Sequence, residues 1–257
     1  MLRINLAILS LALPAAVAAQ PAMMIEPARP AVAMTGYLAD RSPLTLVRLL
    51  PPPPLPGSSE DSADRYLYRL SKRGIGGPDW RKAQGQLGIG SPDYQKAVAC
   101  ALGAAVAAPA TANTMKLLQR AGADLARAVT AAKEYHKRAR PFTTDRGKAC
   151  DPASAVDGGK ALGFAYPSGH AAVGWLWGLI LADARPERSA ALLKFGKETG
   201  DLRIACRVHW ASDVAGGRLM ATALYQQIAD TADYKADLAK ASAELSLAPV
   251  PEGCPAG

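Results

Sequence analysis

The chain has 257 residues, with 30 Lys and Arg against 22 Asp and Glu, for a formal net charge of +8. Hydrophobic residues make up 49% and aromatic residues only 6%, a composition that excludes a disordered chain and leaves enough apolar surface for one substantial core. A basic balance points to anionic partners; scattered Lys and Arg and few aromatics make nucleic acid a poor choice, small phosphorylated molecules fit equally well, and charge alone does not decide.

Taken in chain order, residues 1–19 read as a signal peptide. Arg3 supplies the positive start, residues 4–17 are apolar, and Ala16-Val17-Ala18 offers small-residue cleavage sites. Pro14 and the short apolar length argue against a permanent span, which needs ~20 residues. The later apolar run at 171–182 lies between His170 and Asp183 and is also too short. No membrane span is expected, and the location is periplasmic or secreted. That compartment permits disulfides, and the 4 cysteines allow three connectivities. No Cys-x-x-Cys unit is present to suggest a structural zinc site.

Residues 20–60 form a Pro-rich lead segment containing Pro51-Pro52-Pro53-Pro54, an extended run expected to act as a plain spacer. The region 61–245 has a helical pattern, and 246–257 form a C-terminal tail. Ser91-Pro92 reads as an N-cap followed by proline at the first helical position. Ala is abundant, runs of β-branched residues are absent, and no internal repeat is found. The expected fold is all-α, a single-domain helical bundle.

Within it, Met115, Leu118, Gly122, Leu125 and Val129 recur at helical spacing and mark a core-facing stripe. The same steps reach Lys133, His136 and Arg140, so the spacing predicts a helix running to Arg140 and stopped by Pro141. Lys133 and Arg140 then share its inward face, where unpaired cations are costly and need partners. Arg120 falls at an ordinary helix position.

Two further clusters bear chemistry. In Tyr166-Pro167-Ser168-Gly169-His170, Ser168 is an N-cap before an apolar helix whose free amides form an anion site, and His170 shares a face with Val173 and Trp177. In the other, Asp213 follows His209 at a helical-turn distance, which lets a carboxylate fix one imidazole nitrogen and leave the other free to attack. Two of the 3 histidines fall in these clusters.

Together these elements resemble the signature of the phosphatidic acid phosphatase type 2 superfamily, which shares its core with vanadium haloperoxidases, and are most similar to its class A bacterial non-specific acid phosphatases. They are Lys133 with Arg140-Pro141, then Pro167-Ser168-Gly169-His170, then Arg203, His209 and Asp213. Gly77-Pro78-Asp79-Trp80-Arg81 and His209-Trp210 extend the likeness, which covers roughly residues 62–245. The resemblance implies that Lys133, Arg140, Ser168, Gly169 and Arg203 bind the substrate phosphate. His209 attacks phosphorus, Asp213 orients it, and His170 serves as acid and then base. It implies hydrolysis of a broad range of phosphate monoesters through a phosphohistidine, with phosphotransfer as a side activity. Neither metal nor cofactor is needed; oligomeric state is left open, with a homodimer allowed.

The alternatives on the same core are a vanadate-dependent haloperoxidase and a lipid phosphatase. A serine hydrolase built on Ser168, His209 and Asp213 lacks the Gly-x-Ser-x-Gly elbow and leaves Lys133, Arg140 and Arg203 without a role, while a metal site on His170, His209 and Asp213 would be excluded by insensitivity to chelators. The chain departs from the family at Leu202, where serine is usual, and at Arg207, where glycine is usual. Arg207 is expected to add a cation near the nucleophile and favour substrates with a second phosphate. For the cysteines, Cys150–Cys206 would restrain the active-site clusters and Cys100–Cys254 would tie down the tail.

Overall fold

Short polar residues ahead of apolar stretches set where the helices begin. In the computed structural model, which describes residues 34–106 and 109–254, the side chains of Ser58, Ser91, Ser168 and Thr231 accept the backbone N–H of Asp61, Tyr94, Ala171 and Tyr234. Each such cap is worth about 0.5–2 kcal/mol. The elements are α1 (Leu44–Val47), α2 (Ser59–Ser71), α3 (Pro78–Gly85), α4 (Pro92–Leu102), α5 (Ala112–His136), α6 (Pro141–Thr144), α7 (Gly169–Ala184), α8 (Ser189–Ala205), α9 (Ala211–Ala229) and α10 (Ala232–Leu247). Among the described residues there is no strand, so the bundle is all-α as expected. No described helix is long and apolar enough to cross a membrane. The expected signal peptide, 1–19, lies outside the described residues.

The bundle is organised around α7, which is apolar on every side and packs most closely against α8 and α9. Small residues permit the approach: a Cβ on Gly196 of α8 would lie 2.8 Å from the Gly174 carbonyl oxygen of α7. Likewise, a Cβ on Gly217 of α9 would lie 2.4 Å from the Ser168 carbonyl oxygen. These contacts press the N-terminus of α7 against the start of α9, and the Ser168 N–H donates to the Asp213 carbonyl at 2.9 Å.

The long helix α5 differs from its expected course. Its buried face runs through Leu117, Leu118, Ala121, Leu125, Ala128, Val129 and Ala132, while Met115 and Gly122 are half-buried. It stops at His136, not Arg140. Lys137 adopts the left-handed conformation (φ 47°) and its N–H caps the Lys133 carbonyl at 2.9 Å. Arg140 is extended, caps the short α6 and precedes Pro141, as sterics before proline require. Lys133 and Arg140 therefore reach the same place from different backbone segments rather than from one helical face.

From Met34 onward the lead segment is no spacer. Tyr37, Leu38, Leu46, Val47 and Leu50 are buried in the main core, each contributing roughly 1.5–3 kcal/mol if fully buried. Asp124 accepts the N–H groups of Tyr37 (2.6 Å) and Leu38 (3.1 Å), and the Tyr37 hydroxyl donates to Asp237 at 3.0 Å. Arg120 belongs to this clamp: it lies 4.1 Å over the Tyr37 ring and bonds Asp237 at 2.7 Å and Asp233 at 2.9 Å. It is not the indifferent position its spacing suggested. Spacing reports the face of a helix, not what docks there.

Both disulfides pair as expected, Cys100–Cys254 and Cys150–Cys206. The two departures from the family pattern are structural. Leu202 packs with Trp80, Phe142 and Cys206 in an apolar cluster. Arg207 is 3% exposed and its guanidinium donates to the carbonyls of Tyr68 (2.6 Å) and Lys148 (2.9 Å) and to the Ser71 hydroxyl (2.8 Å), lying 3.8 Å from the Tyr68 ring centre. It clamps the C-terminal end of α2, so the expected aid to a second phosphate is withdrawn. Arg207 holds a left-handed backbone (φ 66°), a strain of about 1–2 kcal/mol that glycine would relieve. Stranding buried acceptors costs about 1–3 kcal/mol each, and the balance favours arginine. We expect Arg207→Gly to destabilise the fold by about 2–4 kcal/mol in urea titration.

Candidate active site

A cavity of ≈ 270 Å³ is lined by Lys133, Arg140, Asp151, Ala161, Leu162, Gly169, His170, Arg203, Val208 and His209. Lys133 reaches it from the last turn of α5, Gly169 and His170 from the first turn of α7, and Arg203 from the last turn of α8. His209 stands just before α9. Of the residues singled out in the sequence, Ser168 and Asp213 lie behind the wall. Both are fully buried, and the Ser168 Oγ is turned to the Ala171 N–H at 3.4 Å.

Hydrogen bonding assigns the histidine tautomers. His209 Nδ1 is 3.2 Å from the Asp213 carboxylate, and His209 Nε2 is 3.3 Å from Arg140 Nη1. A guanidinium can only donate, so Nε2 accepts and Nδ1 carries the hydrogen given to Asp213. The nitrogen left with a free pair is the one on the cavity side. Burial, with the charges of Arg140, Lys133 and Arg203 adding to it, holds His209 well below the usual imidazole range and keeps it neutral. His170 Nε2 is 2.8 Å from the Leu87 carbonyl. A carbonyl can only accept, so Nε2 is protonated and Nδ1 is the nitrogen that exchanges protons. Burial first, then the Arg203 charge, lowers His170 to about 4.

The cations are held by backbone oxygens. Arg140 donates to the carbonyls of Gly163 and Val208, both at 2.8 Å, and of Leu162. Lys133 donates to the Phe164 carbonyl. Arg203, 2% exposed, donates to the Ala83 carbonyl at 3.3 Å, while its Nε has no protein partner. Burial lowers Arg140 and Arg203 to about 10 and Lys133 to about 8, so all three stay charged in acid. Three cations facing one carboxylate, Asp151, make an anion site and a poor divalent-metal site.

Several contributors escaped the sequence reading. The carbonyls of Ala83 and Leu87 come from α3 and the turn after it, and backbone acceptors leave no residue signature. Asp151 lines the cavity, and its charge opposes the lowering of Arg140 and Arg203. Arg138 donates to Asp213 at 2.6 Å from behind.

Comparison with known proteins places this arrangement. The family model described as the PAP2 superfamily matches residues 98–233, more than half of the chain, and includes Lys133, Arg140, Ser168, Gly169, His170, Arg203, His209 and Asp213. The chain belongs to the PAP2 superfamily. It is 32% identical over 203 residues to a non-specific acid phosphatase of Salmonella typhimurium, covering 77% of this chain and 78% of that protein. It is 30% identical to an acid phosphatase of Zymomonas mobilis, covering 77% and 75%, and 28% identical to a non-specific acid phosphatase of Providencia stuartii, covering 82% and 84%. The PAP2 match begins within α4. The Ala83 carbonyl of α3 that holds Arg203 and the Leu87 carbonyl after it that holds His170 therefore lie upstream of it, within the broader likeness to the bacterial enzymes.

Proposed function

We propose that this PAP2 protein is an exported acid phosphatase that hydrolyses phosphate monoesters through a phosphohistidine on His209. The observation that carries the reading is the fixed tautomer of His209, whose unprotonated Nε2 faces the buried Arg140 and Arg203 and the half-buried Lys133. The substrate phosphate lies between Lys133, Arg140, Arg203 and the Gly169 amide. Its oxygens replace the two longest contacts of Arg140, those to His209 (3.3 Å) and to the Phe164 carbonyl (3.5 Å). Nε2 attacks phosphorus, the ester P–O bond breaks, and His170 gives its proton to the leaving oxygen. Asp213 takes the growing positive charge of the imidazole through Nδ1–H. Water then attacks the phosphohistidine as His170 removes its proton, and the P–N bond breaks to return free enzyme. Charge spread over the equatorial phosphate oxygens is stabilised by cations already in place. No step requires a metal. An alcohol in place of water gives phosphotransfer.

The test is release of p-nitrophenol from p-nitrophenyl phosphate across acid pH, with and without chelator. Turnover that survives chelation and is inhibited competitively by inorganic phosphate is expected. Loss of activity on chelation, or bromide oxidation with vanadate in place of ester hydrolysis, would overturn the reading. Export is checked by the intact mass of the secreted chain, expected to lack residues 1–19.

Arg140→Ala and Arg203→Ala are each expected to cost about 3 kcal/mol of transition-state stabilisation, roughly a hundredfold or more in kcat/KM. Lys240→Ala, at an exposed α10 position, should change neither kcat nor KM. Equal losses in all three would mean a diffuse basic surface rather than a cradle.

A further inference from the structure

Behind the nucleophile, a row of charged side chains crosses from α9 to α2. Arg138 Nη1 donates to Asp213 Oδ1 at 2.6 Å and to the Ser212 hydroxyl at 2.6 Å, and its Nη2 donates to Asp64 Oδ2 at 2.8 Å. Asp64 accepts the Ser212 N–H at 2.9 Å and the Ser212 hydroxyl. The other Asp213 oxygen, Oδ2, accepts the Trp210 N–H at 2.8 Å and faces His209 Nδ1. All three charged groups are removed from solvent, with side chains 10% (Arg138), 4% (Asp64) and 0% (Asp213) exposed.

We propose that Arg138 is a positioning residue for phosphoryl transfer: braced by Asp64 on α2, it fixes the orientation and the charge of Asp213, which in turn aims the Nε2 of His209. The inference rests on the phosphohistidine reading above and adds to it a support from a residue that lies between Lys133 and Arg140 but is not itself one of the motif residues. The early end of α5 makes it geometrically possible. The left-handed turn at Lys137 sends Arg138 back toward α9, whereas a helix continued to Arg140 would leave it on another face.

The charge balance around Asp213 explains why the brace matters. Burial pushes Asp213 up to about 6, and the Arg138 charge together with the Trp210 and Arg138 hydrogen bonds opposes that rise. Lys133, Arg140 and His209 face it from the cavity side, with Tyr166 nearby and the like charge of Asp64 beyond Arg138. Removing Arg138 takes away the cation in direct contact, so the carboxyl holds its proton to higher pH. A neutral Asp213 supports the imidazole charge poorly as the P–N bond forms, and the loss is greatest in acid.

The test compares Arg138→Met, Arg138→Lys and Asp64→Asn with wild type, using p-nitrophenyl phosphate and counting competent sites by the calorimetric stoichiometry of inorganic phosphate binding. For Arg138→Met we expect kcat per active site to fall roughly 10- to 100-fold, as for other groups that orient a reactive side chain from behind. KM and inhibition by inorganic phosphate should stay near wild type, and the acid limb of kcat should move to higher pH. Arg138→Lys should restore the position of the acid limb while recovering only part of kcat. Asp64→Asn should show the Arg138→Met pattern in weaker form. A purely structural role would lower the melting temperature and the active fraction without moving kcat per site or the pH limb, and that result overturns the proposal. Should Arg138→Met fail to fold, a wild-type pH profile in Asp64→Asn overturns it equally. Wild-type protein that cleaves no phosphate ester would instead sink the function on which the inference rests.

Discussion

His209→Ala is expected to lose turnover on every phosphate ester, by on the order of 10⁴-fold or more, the scale seen when a covalent nucleophile is removed. No neighbouring group can replace it. Ser168 is fully buried with its Oγ bound to the α7 N-terminus, Asp213 lies behind the ring, and His170 is held through Nε2 by the Leu87 carbonyl. The phosphate cradle should survive, because Lys133, Arg140 and Arg203 are fixed by carbonyls rather than by His209. Arg140 gives up only its 3.3 Å contact to Nε2. Inorganic phosphate should therefore still raise the melting temperature of His209→Ala, while rapid-quench intact mass shows no phosphoryl group. A retained phosphoryl group would assign the nucleophile elsewhere, and one on Ser168 would revive a serine mechanism.

Much of the cavity wall was legible in the sequence because its residues sit where local rules are strong. An N-cap serine ahead of an apolar run announces the α7 N-terminus that carries Gly169 and His170. The interval from His209 to Asp213 announces a side-chain contact across one turn. What stayed hidden depends on tertiary placement. Arg138 stands in the run Lys137-Arg138-Ala139-Arg140, where nothing local separates the cation that lines the cavity from the one that faces Asp213. Only the left-handed Lys137 decides, and a lysine gives little warning of it, since glycine or asparagine usually takes such a position. The lead segment read as a spacer because its polyproline run is real, yet the apolar residues ahead of that run dock through Asp124 and Asp237, 86 to 200 residues distant in the chain. Arg207 looked like an added substrate contact because it is near His209 in sequence. Its φ of 66° turns the side chain toward α2.

The bracing of the site follows from the same packing. Elements on both sides of the cavity hold the reactive groups through backbone atoms: α3 through the Ala83 carbonyl on Arg203, the following turn through the Leu87 carbonyl on His170, and the 162–164 segment through three carbonyls on Arg140 and Lys133. Carbonyls bind cations without neutralising them, so the charge stays available to an anion in the cavity. A cradle of carboxylate-paired cations would exchange one anion for another and gain less on binding. Asp151 is the exception on the wall, and Asp151→Asn should tighten inorganic phosphate, read as a lower inhibition constant, because a like charge leaves the cavity.

The second large effect concerns His170, whose loss should separate substrates by leaving group. Alkyl phosphates expel a basic alkoxide that needs a proton in the transition state, and general acid catalysis of this kind is worth about 10²–10⁴-fold. His170→Ala should therefore lose about that much in kcat/KM, which reports the phosphorylation step, on an alkyl phosphate and far less on p-nitrophenyl phosphate, whose phenolate leaves unaided. On the proposed mechanism dephosphorylation slows as well, because His170 would also activate the water, so one phosphoryl group should accumulate on His209 after brief exposure to the aryl substrate. The protonation state tests the same role in the wild type. In the free protein burial and Arg203 hold His170 at about 4, where it is mostly neutral in mild acid. A bound phosphate offsets the charges of Arg203, Arg140 and Lys133 and favours the imidazolium, so the titration should move upward. Imidazole NMR titration with and without inorganic phosphate reads this directly. A midpoint that stays at about 4 with phosphate bound, together with equal losses on alkyl and aryl esters, would remove His170 from the proton transfers and leave it a buried ring held by Leu87.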